Sequence, residues 1–164
     1  MSKTEQALAE AFAGESQANR KYLAFAKKAE EEGYGQIAKL FRAAAEAETV
    51  HAHNHLKALG GIKSTKDNLA SAIKGETYEF ESMYPPMIAD AKLEGNSEAE
   101  TSFSWANTVE KIHANLYKKA LDNIGKNESV DYYVCGLCGN TLENEAPDTC
   151  PICGAKKQMF KKID

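Results

Sequence analysis

No stretch of this sequence is long and apolar enough to span a bilayer, and the opening MSKTEQALAEAF lacks the apolar run of a secretory leader. A cytoplasmic protein without membrane contact is therefore expected. Basic clusters are missing too, and a formal charge of −4 argues against nucleic acid as a partner. Cysteine is absent from the first 134 residues, and all four, Cys135, Cys138, Cys150 and Cys153, fall in the last thirty. In a reducing compartment such a cluster points to metal rather than to disulfides. The 164 residues that are present, 43% apolar and 27% charged, suit one ordinary globular core with a small appendage.

Apolar residues in the first 125 positions recur at three and four, the helical period, and turn signals divide them. One helix is predicted from Thr4 to Glu32, ending at Gly33-Tyr34-Gly35, and a second from Gln36 to Leu59, ending at Gly60-Gly61. A third follows the capping candidates Ser64 and Thr65 and reaches Glu94, and a fourth runs from an N-cap at Ser97 to Ile124. Pro85-Pro86 remove two backbone donors inside the third helix, so a kink or break is expected there. Short connections between long helices predict an all-α four-helix bundle over residues 1–126, a linker at 127–131 and a separate tail at 132–164. The tail lacks helical periodicity and is too small to fold on its apolar area alone, so it needs a metal staple.

Shifting the chain by 62 positions brings Tyr22 onto Tyr84, Gly33 onto Gly95, Phe41 onto Phe103, Glu48 onto Glu110, His51 onto His113 and Leu59 onto Leu121. A duplicated helix pair, with pseudo-two-fold symmetry, is the expected result. Two of the repeated features are Glu-x-x-His pairs, Glu48/His51 and Glu110/His113, one turn apart on core-facing stripes. Helical phase also turns Glu15 inward on the first helix, and Glu76, with Glu79 a turn later, on the third. Five glutamates and two histidines are thus expected in one bundle interior.

Burying an unpaired carboxylate costs several kcal/mol, so five together would exceed the ~5–15 kcal/mol of net stability a domain usually has. Cations must neutralise them, and an oxygen-rich set with imidazole suits iron or manganese. A lone Glu-x-x-His on a helix is ordinarily a surface ion pair. Two in register, with glutamates in phase on two other helices, form the pattern by which ferritin-like bundles hold a di-iron or di-manganese centre. His53 lies off the stripe and reads as a surface residue. His55 is in phase but has Tyr117 as its repeat partner, which favours packing over ligation. Tyr22 and Tyr84 read equally well as core aromatics or as hydrogen-bonding partners of metal ligands.

Gly33-Tyr34-Gly35-Gln36-Ile37-Ala38 fits a G-x-G-x-x-A dinucleotide fingerprint, but it follows a helix rather than a strand and reads as a turn. In the tail, Cys135-Gly136-Leu137-Cys138-Gly139 and Cys150-Pro151-Ile152-Cys153-Gly154 are two C-x-x-C-G knuckles eleven residues apart. The glycine after each allows a tight turn that aims backbone N–H groups at thiolate sulfur, and two knuckles complete a tetrahedral sulfur site. Iron and zinc both use this spacing.

Six segments together resemble the rubrerythrin family, in which a ferritin-like di-iron bundle precedes a rubredoxin-like iron domain. They are GESQANRKYLAFA, AEAETVHAHNHL, GETYEFESMYPP, VEKIHANLYKKAL, VCGLCGN and CPICGA, and the resemblance covers nearly the whole chain. The tail departs from the pattern in its few aromatics, Tyr132, Tyr133 and Phe160, which keeps zinc as an alternative occupant there.

The resemblance implies Glu48 and Glu110 as bridging ligands of two irons, Glu15 and Glu76 as terminal carboxylates, and His113 as a ligand of one iron. Glu79 and His51 would exchange on the other iron as its redox state changes, with Tyr22 and Tyr84 nearby. It further implies reduction of hydrogen peroxide to water. Electrons would enter through an iron held by Cys135, Cys138, Cys150 and Cys153, shielded by Leu137 and Ile152. Their source would be an electron-donor protein, a rubredoxin or a separate NADH-dependent reductase. Because the linker looks too short to lay the tail on its own helices, a head-to-tail homodimer is expected. Two other readings stay open. One is a ferritin-like ferroxidase or iron-handling protein with a structural zinc clip; the other is an electron carrier, which leaves the buried carboxylates unexplained.

Overall fold

Ser2 starts the first helix by reciprocal capping: its hydroxyl accepts from the Glu5 N–H at 3.2 Å while Glu5 Oε2 accepts from the Ser2 N–H at 2.7 Å. In the computed structural model, which describes residues 1–164, this helix is α1 (Lys3–Glu31) and α2 is Gly35–Ala58. Gly33, at φ +82°, takes the left-handed conformation that ends α1. The chain packs as two units, Met1–Lys63 and Ser64–Asp164, so the division falls between helical hairpins rather than at the linker.

In the first unit α1 and α2 meet along small residues. Ala26, Ala29, Ala38, Ala45 and Ala52 are buried, and Asn19 crosses the seam, donating to Ala45 O at 2.7 Å and Thr49 Oγ1 at 2.8 Å. Alanine lets two helices approach closely, which turns larger side chains away from the seam. Ile37, one of the larger apolar residues of α2, is consequently 47% exposed. Tyr22 packs on Phe41 with ring centres 6.2 Å apart.

In the second unit Ser64 caps α3 (Thr65–Tyr78) as expected, accepting from the Asp67 N–H. A five-residue π-helix, Glu79–Met83, follows, then α4 (Tyr84–Leu93) and α5 (Ser97–Asp122). Asn96 rather than Ser97 caps α5, its Oδ1 accepting from Ala99 N–H at 3.1 Å, and Ile124 lies past the helix end. The shift of one residue has a simple cause, since an Asn carbonyl reaches the same N–H groups as a Ser hydroxyl.

The expected kink takes the form of the π-turn. Pro85 and Pro86 have no N–H to give, so the turn before them widens, and the Tyr84 N–H reaches back five residues to Glu79 O. A π-turn also takes up one extra residue. Glu15 and Tyr22 are seven apart while Glu76 and Tyr84 are eight apart, so the second repeat has gained a residue between ligand and tyrosine. The duplication persists in the packing: Tyr84 meets Phe103 at 6.3 Å, as Tyr22 meets Phe41.

The tail forms an antiparallel sheet of β1 (Tyr132–Cys135), β2 (Thr141–Glu143) and β3 (Phe160–Ile163), in the order β2-β1-β3. It lies on α5 of its own chain, with Thr141 against His113, Glu143 paired with Lys119, and Val109 under Gly139. The linker thus brings the tail against α5 of the same chain. A handful of polar residues suffices because the tail lands beside α5 rather than across a whole bundle. No helix is long and apolar enough to cross a membrane.

Candidate metal centres

Helical spacing carries the ligands to their places. Glu48 and His51 are one turn apart on α2, and His51 Nδ1 lies 2.8 Å from Glu48 Oε2 and 4.0 Å from Glu15 Oε1 on α1. The same triangle recurs in the second unit: His113 Nδ1 is 2.7 Å from Glu110 Oε2 and 3.9 Å from Glu76 Oε1. In each group one oxygen or nitrogen per residue falls within 4.8 Å of the others, close enough to share an ion. Six of the candidate residues thus form two matched groups, one in each unit. Glu79, one turn after Glu76, stands beside the second group without joining it.

Electrostatics agree with a cation site. Burial, then the charges of Glu110 and Glu79, push the Glu76 carboxyl up to about 7, and burial with Glu110 raises Glu79 as well. Burial and the same carboxylates raise the Tyr84 phenol, which keeps it protonated and able to donate. A bound cation would reverse each of these terms. Without one, stability falls as pH rises from about 4.5 towards 7, because folded Glu76 keeps a proton that the unfolded chain has released. Protein stripped of bundle metal by mild chelation is therefore expected to melt at lower temperature at pH 7 than at pH 5.

The four cysteines are unbridged, and one sulfur from each falls within 4.8 Å of the rest. Cys135 Sγ is 3.7 Å from Cys153 Sγ, and Cys138 Sγ is 3.6 Å from Cys150 Sγ, spacings that suit tetrahedral thiolate ligation. Burial opposes the Cys150 thiolate, but N–H groups of Cys153 and Ile152 aimed at the sulfur outweigh it and draw the thiol down to about 6. Burial raises the Cys138 thiol despite the Asn140 N–H beside it. Leu137, expected to shield the sulfurs, is 51% exposed. The middle residue of a knuckle points out of the tight turn.

His53 is exposed and lies off both ligand groups, and His55, half-buried, joins neither. Tyr22 and Tyr84 pack with aromatic neighbours, and burial together with the glutamates raises the Tyr84 phenol. Two residues escaped the sequence reading: Asn140 and Thr141. Asn140 is fully buried and donates to Cys150 Sγ at 3.7 Å, while its carbonyl accepts from Cys135 N–H at 2.9 Å. Only its place directly after a C-x-x-C-G knuckle could have marked it.

Two carboxylate–imidazole groups on helical hairpins and a four-thiolate knuckle pair define a class: redox metalloproteins with a ferritin-like non-haem iron part and a second, sulfur-bound metal. Residues 6–121 match the family described as Rubrerythrin, and residues 133–161 match the Rubrerythrin, rubredoxin-like domain. The chain belongs to the rubrerythrin family. It is 37% identical to Rubrerythrin-2 of Clostridium acetobutylicum, covering 96% of this chain and 95% of that one. It is likewise 37% identical to nigerythrin of Nitratidesulfovibrio vulgaris, covering 96% and 85%. The solved structure of nigerythrin in its fully reduced, all-ferrous state matches with a TM-score of 0.60 at 36% identity, over 99% of this chain and 88% of that one. The family consists of oxidoreductases with a di-iron site and a rubredoxin-like four-cysteine site, the latter here Cys135, Cys138, Cys150 and Cys153. Its members act in redox chains with electron donors and are commonly homodimeric.

Proposed function

We propose that this chain is a cytoplasmic non-haem peroxidase of oxidative-stress defence, reducing hydrogen peroxide to water. The observation that carries the reading is a pair of matched carboxylate–imidazole groups, one of them in direct contact with the thiolate domain through His113 and Thr141. The two carboxylate–imidazole groups would hold ferrous iron able to supply both electrons for splitting the O–O bond, and the four cysteines would hold an iron able to return them one at a time.

Each group contributes one set of ligands. Glu48 and Glu110, the most buried carboxylates of their groups, suit bridging, and Glu15 and Glu76 suit terminal positions. His113 is a fixed imidazole at 27% exposure, whereas His51 at 54% has room to move. That difference supports exchange of His51 with Glu79 as charge at the site changes: a more positive site favours the carboxylate, a less positive one the neutral imidazole. Tyr84 holds a proton at Oη for a hydrogen bond to ligand or peroxide oxygen, and Tyr22 occupies the matching position of the first repeat.

Electrons come from a separate donor protein, a rubredoxin or an NADH-dependent reductase. Gly33-Tyr34-Gly35 is a turn between two helices, not a nucleotide loop. The contact between the tail and its own α5 removes the reason for requiring a head-to-tail partner, while a homodimer remains the assembly proposed. Leu40 and Leu93, 68% and 87% exposed, support burial against a second copy.

Stopped flow tests the reading. The reduced, iron-loaded protein is mixed anaerobically with hydrogen peroxide, or separately with dioxygen, while the ferric-thiolate band is followed. Fast return of colour with peroxide and slow return with dioxygen is expected, and Glu79→Ala is expected to slow the peroxide reaction. Faster oxidation by dioxygen, or a colourless tail, would establish instead a ferroxidase with a zinc clip.

A further inference from the structure

We infer that Asn140, the residue after the first knuckle, is a positioning residue whose side-chain amide, aimed at the Cys150 sulfur, raises the reduction potential of iron held by the four cysteines. This rests on the reading of the tail as an electron-carrying iron site. Asn140 is fully buried, and its Nδ2 donates to Cys150 Sγ at 3.7 Å, from one knuckle across to the other.

The tail contains its own control. Each knuckle is closed by the residue after its glycine: Asn140 O accepts from Cys135 N–H at 2.9 Å, and Ala155 O accepts from Cys150 N–H at 2.7 Å. Each of these residues also turns its own N–H to the second sulfur of its knuckle, Asn140 to Cys138 and Ala155 to Cys153. Alanine fills this backbone role at the second knuckle, so the turn itself does not call for an amide at the first. The amide also carries a penalty. Asn140 Oδ1 is buried without a hydrogen-bond partner, a loss of about 1–3 kcal/mol that leucine, with the same branched shape, would not incur. Against that loss the asparagine adds one N–H on sulfur. The amide fits only this way round: reversed, its carbonyl oxygen would face the thiolate, two acceptors with no hydrogen between them.

That N–H acts on charge. Four thiolates outweigh either ferric or ferrous iron, and reduction makes the site more negative by one electron. A dipole with its positive end at sulfur therefore stabilises the reduced state more than the oxidised one, the more so where water is excluded. Cys150 is 2% exposed and already receives the N–H groups of Ile152 and Cys153. Backbone and side-chain donors converge on one ligand.

The test uses the full chain in two loadings. With ¹¹³Cd at the four cysteines, scalar coupling between the metal and an Asn140 Hδ2 proton, carried through the hydrogen bond, is expected; its absence in the wild type overturns the inference without reference to any variant. With iron there, the potential is read by spectroelectrochemistry of the ferric-thiolate band. Asn140→Leu, and Asn140→Ala, which copies Ala155, are both expected to move the ferric-to-ferrous ratio about tenfold towards ferric at a fixed applied potential, a fall of about 59 mV for a one-electron couple. An unchanged or higher potential in Asn140→Leu, or in Asn140→Ala should leucine disturb the band, would also overturn it. If the four cysteines take up no iron and the chain stays colourless, it is the functional reading that fails, and the cadmium coupling still reports the hydrogen bond.

Discussion

Glu110→Gln is expected to abolish tight ferrous binding by the second ligand group and to lower peroxide turnover at least about 100-fold, since even outer partners of metal ligands are worth 10–100-fold. The same change is expected to raise the melting temperature of protein without bundle metal at pH 7. The opposite signs have one source. Glu110 lies 2.7 Å from His113 Nδ1 and is the neighbour whose charge raises Glu76, Glu79, Tyr84 and Tyr117. A carboxylate among carboxylates is repulsive until a cation arrives. The amide keeps the shape, removes the charge and lets Glu76 ionise nearer its ordinary range, but it cannot bridge two cations. Anaerobic ferrous titration, turnover and thermal melts of one preparation measure all three effects. Retention of two irons per chain by Glu110→Gln would remove Glu110 from the ligand set.

Cys150→Ser is expected to unfold the tail while leaving the helices in place. The side chains buried in residues 132–164 are Cys135, Asn140, Ala146 and Cys150. Half of that core is metal ligand, and the metal supplies what the apolar area does not, about 10–16 kcal/mol in small structural sites of this kind. A serine hydroxyl does not ionise near neutral pH, and it loses the sulfur that accepts from Asn140 Nδ2, Ile152 N–H and Cys153 N–H. Loss of the visible ferric-thiolate band is expected, with rapid proteolysis near 127–131 and unchanged helical circular dichroism. Peroxide should still oxidise pre-reduced helices once, whereas turnover from an external donor should stop. A protease-resistant tail in Cys150→Ser would show that the sheet folds without its metal.

The two predictions draw on features that were legible to different degrees. The ligands could be read because metal chemistry restricts residue type and helical geometry restricts spacing: Glu48/His51 and Glu110/His113 repeat at a fixed shift, and C-x-x-C-G has few uses besides metal. The π-turn was written in the same repeat, as a separation of eight from Glu76 to Tyr84 against seven from Glu15 to Tyr22, though a shift matched at Tyr22 and Tyr84 hides it. The alanine seam was harder to see, since Ala38 and Ala45 share the helix with a more apolar stripe through Ile37 and Phe41. Hydrophobicity ranks the larger residues first; close helix approach selects the smaller.

By itself the sequence determined which residues are candidates to meet metal and where most of the helices begin and end to within a residue or two, because periodicity, capping and ligand chemistry all act over one or two turns. Only the tertiary structure decided that six of the seven candidates gather into two groups with Glu79 in neither, that the tail lies on its own α5, and that Thr141 reaches His113 across 28 positions. Those outcomes depend on which surfaces pack closely, a property of summed shapes rather than of any local pattern. Two hydrogen bonds between residues with no shared period leave no trace in a chain read one turn at a time.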